Sequence, residues 1–223
     1  MVAASNNIPK TVRSGTATRA TGQRTAQRIV EAAFELLQHD EYKRFSLRGV
    51  ADQAGLSLAN VQYYFPGLQA LLKALFEQIA SRYEMSYRSI SSATHEGVLT
   101  PTQRFEKIIR FNLRDIQDVQ TRKLFFRAWE LAGSQDGFTG SWLKPLYDQD
   151  IAQLGAAIAA IAPSLSPADL RTRATLLAAL IEGMMIVIGT HNDDEAGLDT
   201  LIQRTVDQAF FIALNQCPAS TAF

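Results

Sequence analysis

The chain has 223 residues, of which 47% are hydrophobic and 20% charged, with a formal net charge of zero. That composition excludes a disordered or fibrous chain, and the length allows one large domain or two modest ones with a proper core. The neutral total conceals an uneven distribution, because residues 1–68 hold eight basic and five acidic side chains while the remainder holds fourteen and seventeen. A basic front and an acidic back keep a polyanionic partner open.

Residues 1–30 carry Lys10, Arg13, Arg19, Arg24 and Arg28 and no acid. Residues 1–20, rich in Ser, Thr, Ala and Gly, read as a flexible basic tail, and they lack the apolar core of a secretory signal. The single cysteine, Cys217, excludes an intrachain disulfide and fits a reducing compartment. The most apolar run, 174–189, is too short to cross a bilayer comfortably and has Glu182 near its centre, so it reads as a buried helix. A cytoplasmic location with no membrane partner is expected.

Helical periodicity begins at about residue 22. Ala26, Ile29, Val30, Ala33, Phe34 and Leu37 recur at threes and fours, which predicts a first helix over 22–38. Ser46 is a suitable N-cap for a second helix whose Leu47, Val50, Ala51 and Ala54 form one stripe. Gly55 stands where a helix ends in a left-handed residue. Ser57 caps a third helix, bracketed by the hydrophobic staple pair Leu56 and Val61, and Pro66 stops it. Two short helices joined through a glycine turn make a helix-turn-helix.

On a helical wheel Val61 and Phe65 point inward, while Ala59 and Tyr63 lie opposite, flanked by Asn60 and Gln62. The outer face is small at its N-terminal end and rich in planar hydrogen-bonding groups. It suits a helix entering the DNA major groove N-terminus first. Asn60 fits an adenine edge, Leu58 and Ala59 fit a thymine methyl, and Gln62 and the tyrosine hydroxyls of Tyr63 and Tyr64 fit phosphates. The competing reading is an ordinary helical corner with half-buried tyrosines, Tyr64 in particular; the basic N-terminal arm favours DNA.

The stretch TAQRIVEAAFELLQ…FSLRGVADQAGLSLANVQYYFPGLQALLKALFE, about residues 23–78, resembles the N-terminal DNA-binding domain of the TetR family of bacterial transcriptional regulators. The resemblance implies that Ser46 and Arg48 approach phosphate and that Leu58, Ala59 and Asn60 face bases. It places Gln62, Tyr63 and Tyr64 at base or phosphate contacts. Three positions depart from the family pattern, which usually has Tyr at Gln62, Lys at Leu68 and Gly or Pro near Ala59. Leu68 removes an expected phosphate-binding charge, for which Arg24, Arg28 or the tail are the candidate replacements.

The remaining chain resembles the family in architecture only. A fourth helix is expected over 69–91, a fifth over 101–118, a sixth over 122–133 and a seventh over 138–162, entered around Pro145. An eighth is expected over 166–191, ~36 Å for about 24 residues, and a ninth over 197–216. No segment alternates like a strand. The fold expected is therefore all-α, with about nine helices: a helix-turn-helix DNA-binding domain over 21–68, then a larger effector-binding and dimerisation domain over 69–223.

Leu176, Leu177, Leu180, Ile181 and Met184, with Leu201, Ile202, Val206, Phe210 and Phe211, are more than one core needs, which points to a four-helix interface in a homodimer. Phe105, Ile109, Phe125, Trp129, Trp142, Tyr147 and Met184 are candidate walls of a mostly apolar effector cavity, although such residues fill cores more often. Arg110, Asn112 and Glu182 are its candidate polar contacts.

Enzyme chemistry has no support. His39, His95 and His191 lack partners at metal-ligand spacing, and HNDDE (191–195) reads as a solvated turn. There is no phosphate loop, nucleophile elbow or cysteine pair. No metal or cofactor is expected. The function expected is a ligand-responsive repressor that binds a palindromic double-stranded DNA operator as a dimer and is released by a small, unidentified, largely apolar effector. The alternatives are a regulator without a small ligand, an activator, or an α-helical enzyme.

Overall fold

A computed structural model of the chain describes residues 19–38, 43–92, 99–133, 144–188 and 195–215. Among these residues the structure is wholly helical: α1 (Arg19–Gln38), α2 (Leu47–Ala54), α3 (Leu58–Tyr64), α4 (Leu68–Ser92), α5 (Pro101–Asp115), α6 (Val119–Gly133), α7 (Lys144–Ile161), α8 (Pro167–Ile188) and α9 (Glu195–Leu214). The expectations placed on Trp142, Cys217, the three histidines and the tail through residue 18 lie outside the described residues.

The chain divides into two compact units. The first comprises Met1–Arg82 and Lys123–Leu146, the second Tyr83–Arg122 and Tyr147–Phe223, so α4 contributes to both.

In the first unit, Ala26, Ile29, Ala33 and Leu37 of α1 are completely buried with Val50 of α2, Val61 of α3 and Leu71, Leu72 and Leu75 of α4. This is the helical stripe of the sequence turned inward, and each such aliphatic side chain contributes about 1.5–3 kcal/mol by leaving water. Gly49 is dictated by space. A Cβ there would lie 2.0 Å from the Arg44 carbonyl oxygen, where the chain passes close before entering α2. Arg127 on α6 donates from Nη1 to the Leu37 carbonyl at 2.7 Å, which gives a carbonyl in the last turn of α1 a partner.

In the second unit, α5 buries Phe105, Ile108, Ile109 and Leu113 against Leu177 and Met185 of α8 and Val206, Ala209 and Ala213 of α9, with Leu154 and Ile158 of α7 also enclosed. Thr100 and Gln103 form a reciprocal capping box at the start of α5. The start of α6 comes three residues before the expected position, because Asp118 accepts the Thr121 N–H at 3.0 Å and so nucleates the helix. Arg173 of α8 donates from Nη1 to the carbonyls of Ile212 and Ala213 at 3.2 and 2.8 Å, capping α9 and locking it to α8.

Part of the apolar excess read from the sequence is consumed internally. Leu177, Ile181, Ile202 and Val206 are buried in the core of the unit itself. The uncovered apolar side chains are Leu176, Ile186 and Val187 of α8 and Phe211 of α9, exposed by 53%, 58%, 46% and 43%.

Candidate nucleic-acid interface and a buried acidic cluster

The helix-turn-helix is held by local hydrogen bonds. Ser46 Oγ accepts the Gly49 N–H at 3.0 Å and Ser57 Oγ accepts the Asn60 N–H at 3.2 Å, each capping its helix. Gly55 takes φ 62°, the left-handed region that costs a residue with a Cβ. The Leu56 N–H donates to the Ala51 carbonyl at 2.9 Å and that of Gly55 to Asp52 at 3.1 Å, completing a Schellman turn. Beside it, the Arg28 guanidinium sits so near Gly55 that a Cβ there would meet it at 2.9 Å. Gln53 on α2 donates to Glu35 on α1 at 2.7 Å, fixing the two helices from outside.

This scaffold presents α3 edge on. Val61 is fully buried and Tyr64 nearly so, whereas Ala59, Asn60, Gln62 and Tyr63 are exposed and Leu58 is half-buried. Arg24, Arg28, Ser46 and Arg48 are exposed in the same unit. Tyr64 differs from the rest of the expected contact set. Its ring meets Tyr63 edge-to-face at 5.1 Å and its hydroxyl lies against Gly22 of α1, so it props Tyr63 and anchors α3 to α1.

The candidate effector residues fall in both units. Phe125 and Trp129 pack with tilted rings at 5.9 Å in the first, and the Trp129 Nε1 is enclosed there without a hydrogen-bond acceptor. Phe105, Ile109, Tyr147 and Met184 belong to the second. Phe105 is core, packed on Phe210 at 4.9 Å, and Ile109 is fully enclosed. Met184 Sδ accepts the Thr205 hydroxyl at 3.8 Å.

Tyr147 leads to a feature that sequence reasoning reached only at Tyr147 itself, Asn112 and Glu182. In the second unit, the Tyr83 hydroxyl donates to Asp115 and the Tyr147 hydroxyl to Glu182. The Tyr87 hydroxyl faces both Asn112 Oδ1 at 2.8 Å and Asp150 Oδ1 at 3.1 Å. The rings of Tyr83, Tyr87 and Phe111 meet edge-to-face at 5.8–6.4 Å. Burial pushes the Glu182 carboxyl up to about 7, with the Tyr147 hydrogen bond opposing and the nearby Asp150 adding to it. Burial likewise pushes Asp150 up to about 6 against the Tyr87 hydrogen bond, and it raises all three tyrosines well above their usual range. The sequence signal was the i, i+4 pair Tyr83–Tyr87 and the acids that interrupt the apolar stripes of α7 and α8.

Residues 29–75 match the family described as bacterial regulatory proteins, tetR family. Over that stretch the chain carries a TetR-family N-terminal domain. The chain is 30% identical over 135 residues to an uncharacterized HTH-type transcriptional regulator in the dhlA 5' region of Xanthobacter autotrophicus, an alignment that spans 58% of this chain and 63% of that protein. Solved structures of transcriptional regulators share the fold. A TetR transcription regulator from Haloarcula marismortui superposes with a TM-score of 0.66 at 16% identity, covering 87% of this chain and 99% of its own. A protein of Saccharomonospora viridis in complex with choline gives 0.61 at 19% identity, covering 86% and 97%. The family match thus lies on α1–α4, where the exposed face of α3 is. Among the described residues no helix is long and apolar enough to cross a membrane.

Proposed function

We propose that this TetR-family chain is a ligand-responsive repressor that binds a palindromic operator as a homodimer in the cytoplasm. One observation carries the reading: Ala59, Asn60, Gln62 and Tyr63 stand exposed on a helix whose other face is sealed by Val61 and Tyr64. Such a helix reads base edges from its N-terminal end, and Asn60 is its adenine-reading group. Ser46, Arg48 and Arg24 position it on phosphates. Residues 21–68 form the DNA-binding domain and 69–223 the effector-binding and dimerisation domain.

The uncovered side chains Leu176, Ile186, Val187 and Phe211 support dimerisation through α8 and α9, since apolar side chains on the last two helices bury themselves against a second copy. Two recognition helices then require half-sites about one helical turn, ~34 Å, apart. A small effector in the second unit, signalling through α4, releases the operator, and it does so only as far as it prefers one state; a 100-fold preference corresponds to ~2.7 kcal/mol. The structural likeness to a choline complex supports a small-molecule effector.

Selection of bound fragments from a random DNA pool tests the reading. Recovery of an inverted repeat with half-sites about one turn apart is expected. Recovery of no enriched sequence would refute it.

A further inference from the structure

Tyr87 of α4 and Asn112 of α5 are both buried in the second unit, and their hydrogen bonds fix where the protons lie. The Asn112 side chain bonds the Ile108 carbonyl at 2.9 Å. A carbonyl oxygen only accepts, so the atom facing it is Nδ2 and the atom turned to Tyr87 is Oδ1. Oδ1 only accepts as well, so the Tyr87 hydroxyl gives it the one proton it has, across 2.8 Å. On its other side the Tyr87 oxygen meets Asp150 Oδ1 of α7 at 3.1 Å. With its proton committed to Asn112, Tyr87 can only accept there. These two oxygens form a hydrogen bond only when Asp150 carries a proton and donates it.

The surroundings favour that form. Facing Asp150 are Tyr87 of α4, Tyr147 of its own helix and Glu182 of α8, with Asp115 of α5 beyond Tyr87. All are acidic or neutral, while the nearby Arg88 and Arg171 are engaged by Glu84 and Asp148. Burial pushes the Asp150 carboxyl up to about 6, and a Tyr87 that accepts rather than donates works in the same direction.

We propose that Asp150 is a proton-operated latch: neutral, it holds α7 to α4 and α5 through a directional chain of hydrogen bonds, and its ionisation opens that chain. The latched chain runs from the Asp150 carboxyl to Tyr87, from Tyr87 to Asn112 Oδ1, and from Asn112 Nδ2 to the Ile108 carbonyl. When Asp150 loses its proton to water, the carboxylate can only accept. Tyr87 then either turns its proton to Asp150 and strands Asn112 Oδ1, or keeps it on Asn112 and sets its own oxygen against an anion. In both cases one of the three helices loses its tie, and an enclosed acceptor is left unmet. The α4 segment so released continues into the first unit. Because the folded value of about 6 lies above the usual 3.8, the latch is fully shut below about pH 3.8 and opens as pH rises through about 6. The inference goes beyond the DNA-binding reading and stands with or without it.

Infrared spectroscopy of the full chain in heavy water reads protonated carboxyl groups directly. At about pH 5 the parent should show such a band that is missing from Asp150→Asn, and it should fade with a midpoint near 6. In Tyr87→Phe the same band should move to higher frequency, because that carboxyl proton has lost its acceptor. Hydrogen exchange then reads the latch itself. Between about pH 5 and pH 7.5, protection of the amides of residues 83–90 should fall about tenfold further in the parent than in Asp150→Asn, whose amide supplies a donor at every pH. Glu182 titrates over the same range in both proteins, so it cancels from the comparison. The amides of α9 should show no such difference. The proposal is overturned if Asp150→Asn removes no protonated-carboxyl band, if the two protection profiles fall in parallel, or if α9 loses as much as residues 83–90. Should Asp150→Asn fail to fold, the band in Tyr87→Phe decides, and an unshifted band overturns the latch.

Discussion

Glu182 makes the stability of the second unit depend on pH in a direction opposite to that of most carboxylates. Its folded-state value of about 7 lies above the usual 4.5, so the folded chain holds this proton more tightly than the unfolded chain does. Folding stability from this group is then fully present below about pH 4.5 and is lost as pH rises through about 7. The gap corresponds to roughly 3 kcal/mol at 1.36 kcal/mol per pH unit, and partial solvent access trims it to about 2. For a chain of this size 1 kcal/mol moves the melting temperature by about 2–4 °C, so the expected loss between about pH 5 and pH 8 is about 4–8 °C. Glu182→Gln keeps the shape and removes the titration. Thermal melts of both proteins across that range isolate the effect, because every other titrating group is shared. Parallel profiles, with the parent losing no more than the variant, would refute the assignment of a buried, proton-retaining Glu182.

Other substitutions probe the remaining elements. Gly49→Ala should destabilise the first unit by about 2–3 kcal/mol, since its Cβ would fall 2.0 Å from the Arg44 carbonyl oxygen, while Gly67→Ala meets nothing within 4 Å and should melt like the parent. Asn60→Ala should relax base preference at one position per half-site at a cost of ~1–3 kcal/mol, whereas Tyr63→Phe should weaken specific and random DNA alike, as binding titrations on both would show. Ile186→Glu places a charge on an exposed apolar side chain of α8, so sedimentation should show a single-chain species of about 25 kDa with its helicity retained. Leu68→Lys at the first turn of α4 should steepen the salt dependence of operator binding by up to about 0.9 in log–log slope for each phosphate reached.

What was legible in the sequence was local. Ser46, Gly55, Ser57 and Pro66 act within one turn of where they stand, so the bounds of α2 and α3 followed from them alone, and Val61 and Asn60 sorted to opposite faces by spacing. The α6 boundary was equally local, but the Asp118 cap was passed over because 116–118 continued the apparent period of α5. The acidic cluster was a different matter. Its members come from α4, α5, α7 and α8, and each helix taken singly shows only one or two polar residues in an apolar stripe. Nothing in α7 indicates that Asp150 will meet a tyrosine 63 residues earlier in the chain. The same limit applied to α8 and α9, where periodicity marked an apolar excess but could not divide Leu177 and Ile181, which face the interior, from Leu176 and Ile186, which do not.

The Ser57 cap has a kinetic consequence. Its hydroxyl holds the Asn60 N–H, and Tyr64 packs the other side of α3 against α1, so in the proposed reading the base-facing end of the helix is already in place before DNA arrives. Little ordering remains to be done in the encounter, and wrong sequences are met by the same shape as right ones. Arrival should therefore proceed at similar rates on operator and random DNA, with the salt-dependent attraction common to both. On the proposed operator reading, discrimination should then reside in residence time, the correct site being the one the protein is slow to leave.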